Sequence, residues 1–318
     1  KTGVSSNMIL IDDLGHGLRR DGKVPQELLA QVLSFFDHEL RGHQSEWATH
    51  DKNPHPWVTE FGRNTPRTHD VLFYSKIADA YYGYTIYLPP SYDNIDAHLY
   101  PTVYWLHGRN GRPHGANRFF EDAHHAIETG LCPEMVIVAP TGLPGSMYVD
   151  SKDGVHPVES VIIKDLIPHI EATYRVIPNR EMRAIDGFSM GGFGAAHLGF
   201  KYPELFGTIS LMGSAIHRPE FLRDERSDIF AAAFGGDLAY CEKESPWTLV
   251  RQGADALRDR TSMRLYVGMR DFRLKAKNMA FSTIMETLKL SHEYGLVPRA
   301  GHNLGQVLDG IGDDAWTY

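Results

Sequence analysis

The chain has 318 residues, 42% of them hydrophobic and 23% charged, and its net charge is −8 because 40 Asp and Glu outnumber 32 Lys and Arg. This length and composition suit one large α/β unit with a sizeable core, and they exclude intrinsic disorder of the whole chain. The acidic balance argues against nucleic acid as a partner, because binding to a phosphate backbone needs clustered Lys and Arg. No run approaches the ~18 uncharged apolar residues of a membrane span.

The start of the chain leaves the compartment open. The first residue is Lys1 rather than Met, and no basic-then-apolar signal segment follows it. We therefore expect a soluble protein, either cytoplasmic or secreted with its targeting segment removed. The two cysteines, Cys132 and Cys241, are too few for a disulfide scaffold, and the sequence does not decide whether they form one bridge or stay free.

Residues 1–66 are interpreted as an N-terminal helical and loop extension. Apolar residues within 26–40 have the spacing of one face of an amphipathic helix, which Pro25 would begin. Residues 41–67 are rich in His, Asn, Pro and Thr and are predicted to be a long loop anchored by residues such as Trp57. Because the apolar stripe must be buried, we expect the extension either to cap the site or to join subunits of a homo-oligomer.

Residues 67–318 are predicted to form the catalytic domain, because short apolar runs alternate with helical segments. Strands are predicted at 71–74, 82–88, 102–106, 135–139, 183–188, 208–212, 263–268 and 292–296. Helices are predicted at about 159–174, from the turn after residue 188 to about 202, and at 276–290. Apolar runs without alternation indicate strands buried on both faces, so the predicted fold class is α/β, with a mostly parallel sheet and helices on both faces. A cap-like insertion is expected at about 213–260.

The strongest chemical signal is Gly187-Phe188-Ser189-Met190-Gly191, a G-x-S-x-G sequence between a strand and a helix. Such a turn holds its serine in a strained conformation, with the oxygen exposed at the carboxyl edge of the sheet. The glycines leave room for the turn, and the N–H of Met190 at the helix start faces the reacting oxygen. The pattern predicts Ser189 as a nucleophile and Met190 as an oxyanion donor; a Gly-rich turn with a capping serine is the alternative.

A serine nucleophile needs a histidine base and a carboxylate that orients the histidine. In this kind of fold both follow the serine, with the acid first. His302 follows the last predicted strand, and Asp271 follows the strand before it, so both fall at carboxyl ends of strands. Asp150, Asp309 and Asp313 remain alternatives for the acid.

The loop after the strand at 102–106 is the place where a second oxyanion donor is expected. It begins His107-Gly108-Arg109, and the N–H of Arg109 is the best candidate. The alternative is that His107-Gly108 merely closes the strand. The candidate substrate-binding residues are His107, Asn110, Phe188, Trp247 and Phe272.

No cofactor or metal is predicted. The chain has 17 histidines, but it contains no H-E-x-x-H or C-x-x-C spacing. Several basic residues follow the strand predicted at 102–106 closely: Arg109, Arg112, His114 and Arg118. They either contact an acidic part of a substrate or form a solvated basic loop, and the second interpretation is the simpler one.

Five segments carry a family resemblance: residues 87–92 (YLPPSY), 104–108 (YWLHG), 165–168 (DLIP), 174–175 (YR) and 187–192 (GFSMGG). They resemble the putative-esterase branch (esterase D-like, feruloyl esterase-like) of the α/β-hydrolases, over roughly residues 69–303. That branch includes feruloyl and acetylxylan esterases, S-formylglutathione hydrolase and mycolyltransferases. The resemblance implies the α/β-hydrolase fold, the triad Ser189, Asp271 and His302, and the oxyanion donors Met190 and Arg109. Asn303 departs from it, since esterases of this branch often have Asp there.

The predicted function is that of a serine ester hydrolase, which cleaves a small-molecule carboxylic ester through an acyl-enzyme. An acyltransferase with the same triad would share that intermediate, and product analysis with alcohol acceptors separates the two. A non-catalytic scaffold of this fold is the remaining alternative. Failure of Ser189 to react with a fluorophosphonate would favour the scaffold.

Overall fold

The computed structural model describes Trp57, Thr65 and residues 67–94 and 97–317. The predictions for residues 1–66 otherwise lie outside the described residues. Trp57 is buried, with its ring 5.6 Å from that of Tyr82, and its carbonyl oxygen accepts a hydrogen bond of 2.8 Å from the N–H of Gly83. Trp57 is therefore held against the strand that contains these two residues, as an anchor of the preceding loop would be.

The described residues contain eight strands, which form one sheet. They are β1 (Thr68–Ser75), β2 (Ala80–Tyr87), β3 (Thr102–Leu106), β4 (Val136–Pro140), β5 (Arg183–Phe188), β6 (Thr208–Met212), β7 (Ser262–Gly268) and β8 (Glu293–Val297). Their order in the sheet is β1-β2-β4-β3-β5-β6-β7-β8. β2 pairs antiparallel with β1 and with β4, and every other neighbouring pair is parallel. The carboxyl ends of the parallel strands therefore meet at one edge.

Helices connect these strands. They are α1 (Asn117–Glu128), α3 (Met190–Lys201), α4 (Pro219–Glu225), α5 (Ser227–Phe234), α6 (Leu238–Lys243), α7 (Pro246–Leu257), α8 (Lys275–Thr287) and α9 (Leu304–Ile311). Between α1 and α3, α2 begins as Val158–Ser160, continues as a π-helical segment, Val161–Leu166, and ends as Ile167–Thr173. Short 3₁₀ turns occur at Pro90–Asp93, Pro113–Ala116, Arg180–Met182 and Gly312–Ala315. Within the described part of the chain, no helix is both long and apolar enough to cross a lipid bilayer.

Apolar side chains cover both faces of the sheet. In β4, Val136 and Val138 belong to one core cluster, whereas Ile137 and Ala139 belong to another. Because side chains alternate between the faces of a strand, the two clusters lie on opposite sides of the sheet. The first cluster includes the apolar side of α3, and the second includes that of α1. The predicted mostly parallel sheet with helices on both faces is confirmed.

Both cysteines are free and buried in different core clusters, Cys132 in one and Cys241 in the other. Burial raises the pKa of Cys132 to about 11 and that of Cys241 to about 12. Both thiols are therefore protonated near neutral pH and contribute as small apolar side chains.

A buried ionic network joins α2, α3 and the turn between α6 and α7. The Nζ of Lys201 lies 2.8 Å from Oε1 of Glu159 and also pairs with Glu244. The Nε2 of His197 lies 2.6 Å from Oε2 of Glu159. Burial alone would raise the pKa of Glu159, but hydrogen bonds to His197, Lys201 and Tyr202 lower it to about 2. The Glu159 carboxylate therefore stays charged, and the network holds three helical elements together.

Replacing Lys201 with methionine is expected to lower the free energy of unfolding by about 3–5 kcal/mol near neutral pH, because two buried carboxylates lose an ammonium partner. Urea denaturation measures the change. Lys243→Met is the matched control: Lys243 also pairs with Glu244, but its side chain is 71% exposed. The control should change stability by less than about 0.5 kcal/mol.

The same network predicts a pH dependence. The pKa of Glu159 is lower in the folded state than in the unfolded state. The contribution of its carboxylate to stability is therefore complete above the unfolded-state pKa and is lost as the pH falls from about 5 towards 2. The difference in the free energy of unfolding between wild type and Lys201→Met should become smaller over that pH range. A Lys201→Met protein as stable as wild type near neutral pH would contradict the network's role.

Candidate active site

Ser189 occupies the turn between β5 and α3, at the carboxyl end of β5. Its φ of 61° and ψ of −114° put it in a conformation that residues other than glycine rarely adopt. Two backbone hydrogen bonds hold the turn in place. The N–H of Ser189 donates to the carbonyl of Met212 at 3.0 Å, and its carbonyl accepts from the N–H of Ala215 at 2.8 Å. The neighbouring strand β6 thus supports the strained residue.

The two glycines of the G-x-S-x-G sequence allow a close approach of backbones. A Cβ on Gly191 would lie 1.8 Å from the carbonyl oxygen of Leu106, at the end of β3. A Cβ on Gly187 would lie 2.2 Å from the carbonyl oxygen of Gly191. No side chain fits at either position without moving backbone, so the spacing of the sequence is a packing requirement of the turn.

His302 bridges Ser189 and Asp271. The Nε2 of His302 lies 2.9 Å from Oγ of Ser189, and its Nδ1 lies 2.7 Å from Oδ2 of Asp271. An ionised carboxylate only accepts hydrogen bonds, so Nδ1 carries the ring proton and the neutral ring leaves Nε2 free to accept from the serine hydroxyl. The three residues come from the loops after β5, β7 and β8. The parallel order of these strands brings the loops to one edge of the sheet.

Asp271 is held in one orientation by its own loop. Its side chain is 1% exposed, and Oδ1 accepts hydrogen bonds from the N–H groups of Arg273 at 3.3 Å and Leu274 at 3.1 Å. Its own N–H donates to the carbonyl of Gly268 at 3.0 Å. With Oδ1 satisfied by the backbone, Oδ2 is left to face His302.

The three alternative acids are engaged elsewhere or exposed. Asp150 accepts hydrogen bonds from the N–H and the hydroxyl of Ser160, at the start of α2. Asp309 pairs with Arg118 on the surface, and Asp313 is exposed in the turn after α9.

The loop after β3 passes beside the serine. A Cβ on Gly108 would lie 3.4 Å from the Cβ of Ser189. The N–H groups of Arg109 and Met190 have no acceptor among residues 67–94 and 97–317, whereas the two residues after Arg109 donate to backbone carbonyls. Both free N–H groups belong to residues beside Ser189 in the same cleft.

This cleft has a volume of about 690 Å³ and contains Ser189 and His302. Phe188 lies on its wall, and its ring stacks on that of His302 with the centroids 4.8 Å apart. The other apolar lining residues are Met147, Met190, Ala215, Phe221, Ile229 and Leu274. Phe221 and Ile229 come from α4 and α5, so the segment predicted as an insertion contributes to the wall.

Residues 75–317 match the model of a protein family described as "Putative esterase". The chain belongs to this esterase family. An esterase from Mycobacterium tuberculosis is 31% identical over 156 residues, which make up 48% of this chain and 33% of that protein. The aligned part of this chain thus spans about a third of the length of that relative.

Solved structures place this chain in the α/β-hydrolase fold. A ferulic acid esterase superposes with a TM-score of 0.68 and 24% identity, covering 79% of this chain and 95% of the other. An S-formylglutathione hydrolase from Agrobacterium tumefaciens superposes with a TM-score of 0.65 and 20% identity, again covering 79% and 95%. The predicted α/β-hydrolase fold is confirmed.

Of the five candidate substrate-binding residues, Phe188 alone lines the cleft as the described residues define it. His107 is the first residue of the loop after β3, and its side chain is buried. Its Nε2 accepts a hydrogen bond of 2.9 Å from the N–H of Gly142. Trp247 is buried in the core, and Asn110 and Phe272 project into solvent, Phe272 being 84% exposed. Contrary to the sequence-based expectation, these four do not form the walls of the cleft.

The charged wall of the cleft was not predicted from the sequence. His217 follows β6, and Arg226 lies between α4 and α5. Arg273 lies just before α8, and Lys277 lies in its first turn. Burial, followed by the charges of Lys277 and Arg226, lowers the pKa of His217 to about 3, so its ring is neutral near neutral pH. The four-residue spacing of Arg273 and Lys277 was a visible signal, but nothing in the sequence singles out His217.

The described residues include one group with the spacing of metal ligands: Glu159, His197 and Glu244. The Nζ of Lys201 already contacts both carboxylates. An ammonium between the two carboxylates supplies the positive charge that a metal ion would bring, so this group fits an ionic network better than a metal site.

Proposed function

We propose that this protein hydrolyses carboxylic esters of small molecules through an acyl-enzyme on Ser189. The observation that carries the proposal is the continuous hydrogen-bonded chain from Asp271 through His302 to Ser189 in an open cleft. The Oγ of Ser189 attacks the ester carbonyl while Nε2 of His302 takes the hydroxyl proton. Asp271 keeps the ring oriented and stabilises the imidazolium that forms.

The N–H groups of Met190 and Arg109 complete the first half of the reaction. They are the donors beside the serine that stabilise negative charge on the carbonyl oxygen of the tetrahedral intermediate. His302 then gives its proton to the departing alcohol, which leaves the acyl group on Ser189. In the second half, His302 takes a proton from water while the water oxygen attacks the acyl carbon. The bond from that carbon to Oγ of Ser189 then breaks, His302 returns the proton to Oγ, and the free acid is released.

Water is favoured over an alcohol as the acceptor because the side chain of His302 is 21% exposed in the open cleft. An acyltransferase would need to keep water away from that ring. The experiment is a panel of p-nitrophenyl esters from acetate to octanoate, with methyl ferulate and acetylated sugars, assayed with and without an alcohol acceptor. Methyl ferulate is included because a ferulic acid esterase has this fold.

Release of the free acid, with or without the acceptor, is the expected result of that panel. Transfer of the acyl group to the alcohol as the main product would identify an acyltransferase instead. No turnover of any ester, together with no reaction of Ser189 with a fluorophosphonate, would favour a non-catalytic scaffold.

Incubation with EDTA is expected to leave the hydrolysis rate unchanged, because every group in these steps comes from the chain itself. The assay compares initial rates before and after removal of the chelator and its bound ions. Activity that is lost with EDTA and restored by a divalent cation would contradict the mechanism.

A further inference from the structure

The cleft is cationic, although the chain is acidic. Four cationic side chains line it, from Arg109, Arg226, Arg273 and Lys277, and no Asp or Glu among the described residues does so. The chain as a whole carries a net charge of −8. The sign of the charge is therefore reversed locally, at the place where the proposed substrate binds.

Asp228 compensates part of this charge from the first turn of α5. It pairs with the guanidinium of Arg109, and its Oδ1 lies 3.2 Å from Nε of Arg226. By contrast, neither Arg273 nor Lys277 has a carboxylate within ion-pair distance in the described part of the chain. Among the described residues, these two positive charges on the wall of the cleft therefore have no carboxylate partner.

The ammonium of Lys277 is held at the wall of the cleft. Its Nζ lies 3.6 Å from the centroid of the Phe221 ring, which is a cation–π contact. That ring in turn stacks on His217, with centroids 4.7 Å apart. His217 is 6% exposed, and its Nδ1 has no hydrogen-bond partner among the described residues. The charge of Lys277 therefore lies on one side of the Phe221 ring, and His217, whose Nδ1 has no partner among the described residues, stacks on the same ring.

Asp271 is the carboxylate that acts most on Lys277, but both of its oxygens are engaged. Oδ2 faces His302, and Oδ1 accepts two backbone hydrogen bonds. Burial lowers the pKa of Lys277, Asp271 opposes that effect, and Arg226 and Arg273 add to it. An anion bound next to Lys277 would stabilise its charged form.

We propose that the cleft binds esters that carry a carboxylate, with Lys277 and Arg273 as the groups that pair with it. The proposal deepens the ester hydrolysis proposed above and rests on it. Charge-assisted hydrogen bonds from guanidinium and ammonium groups to a carboxylate are stronger than neutral ones. A positively charged cleft in an acidic protein also concentrates anionic substrates and repels cationic ones.

The test uses two pairs of esters, because the carboxylate can belong to the acyl part or to the alcohol part. In the acyl pair, p-nitrophenyl hemisuccinate is compared with its neutral methyl ester. In the alcohol pair, para-acetoxybenzoate is compared with its methyl ester. For each pair, the ratio of kcat/KM for the anionic to the neutral ester is measured in wild type and variants.

Wild type should prefer the anionic ester in one pair, and Lys277→Met should lower that ratio about tenfold, as expected for loss of a hydrogen bond between charged groups. Lys277→Arg keeps the charge and should retain the ratio. Lys275→Met is the matched control, because Lys275 lies on the same helix but outside the lining of the cleft. Arg273→Gln should also lower the ratio of kcat/KM for the anionic to the neutral ester. This variant tests the proposal even if Lys277→Met does not fold.

No anionic preference in either pair, or a ratio that Lys277→Met and Arg273→Gln leave unchanged, would overturn the proposal. Wild type that hydrolyses only neutral esters would overturn it while leaving the proposed function intact. If no ester is turned over, titration calorimetry with Ser189→Ala measures the binding of each ester, which tests the proposal without catalysis. Tighter binding of the anionic member of a pair, lost in Ser189→Ala/Lys277→Met, would support the proposal, and equal binding would overturn it.

Discussion

Replacing Ser189 with alanine is expected to lower kcat/KM for a p-nitrophenyl ester by about 10⁵- to 10⁶-fold, the size of effect seen when a triad nucleophile is removed. The variant lacks the hydroxyl that lies 2.9 Å from Nε2 of His302, so no acyl-enzyme forms at this position. Steady-state kinetics measure the loss. The oxyanion donors remain, so a residual rate above that of water is expected.

Ser262→Ala is the matched control for that variant. Ser262 is exposed at the start of β7, and it should keep wild-type turnover. Circular dichroism of both variants should match wild type, because Oγ of Ser189 does not hold the turn; its backbone N–H and carbonyl do. Turnover by a folded Ser189→Ala protein at a rate near that of wild type would contradict the assignment of the nucleophile.

Asp271→Asn is expected to lower kcat by about 10⁴-fold, through the tautomer of His302. The N–H groups of Arg273 and Leu274 will hold the amide oxygen of the asparagine where Oδ1 now lies. Its NH₂ group then faces Nδ1 of His302, which must become an acceptor. The ring proton moves to Nε2, so the ring can no longer take the proton of Ser189.

Asp150→Asn and Asp309→Asn are the controls for the acid. The first residue bonds to Ser160, and the second pairs with Arg118 on the surface. Both variants should therefore keep most of the activity. If either were as damaging as Asp271→Asn, the acid would be assigned to the wrong residue.

The sequence predicted that Ser189, Asp271 and His302 come together at one edge of the sheet, because its signals are local or follow from strand order. The G-x-S-x-G sequence specifies a backbone turn, and the structure shows why side chains are excluded at Gly187 and Gly191. His302 and Asp271 follow parallel strands, so the topology alone brings them to the edge where Ser189 lies. The catalytic roles of these residues stay predictions until the variants are measured.

Outside the segment predicted as a cap-like insertion, two helices were not predicted, for different reasons. In α1 the buried residues include Phe119, Phe120 and Ala123, which have the spacing of one helix face. The basic residues just before them were interpreted as a loop, so the helix was not predicted. In α9 two of the eight residues are glycines, Gly305 and Gly310, which lower helix propensity. Tertiary packing overrides that weak local preference in α9.

Of the lining residues, Phe188 and Met190 are adjacent in the sequence to a residue of the proposed triad, but most of the wall comes from elsewhere in the chain. Phe272 is adjacent to Asp271, yet it points into solvent, because Asp271 turns its own side chain towards His302. The cations of the wall come from three separate parts of the chain: the loop after β3, the loop between α4 and α5, and the segment that leads into α8. Such long-range groupings depend on how the helices pack, which periodicity does not reveal.

The nucleophile is tested most directly by reacting the protein with a fluorophosphonate and locating the adduct by mass spectrometry of its peptides. We expect one adduct per chain, on Ser189, with loss of ester hydrolysis in proportion to labelling and no adduct in Ser189→Ala. An adduct on a different residue, or full esterase activity in a protein completely labelled at Ser189, would contradict this expectation.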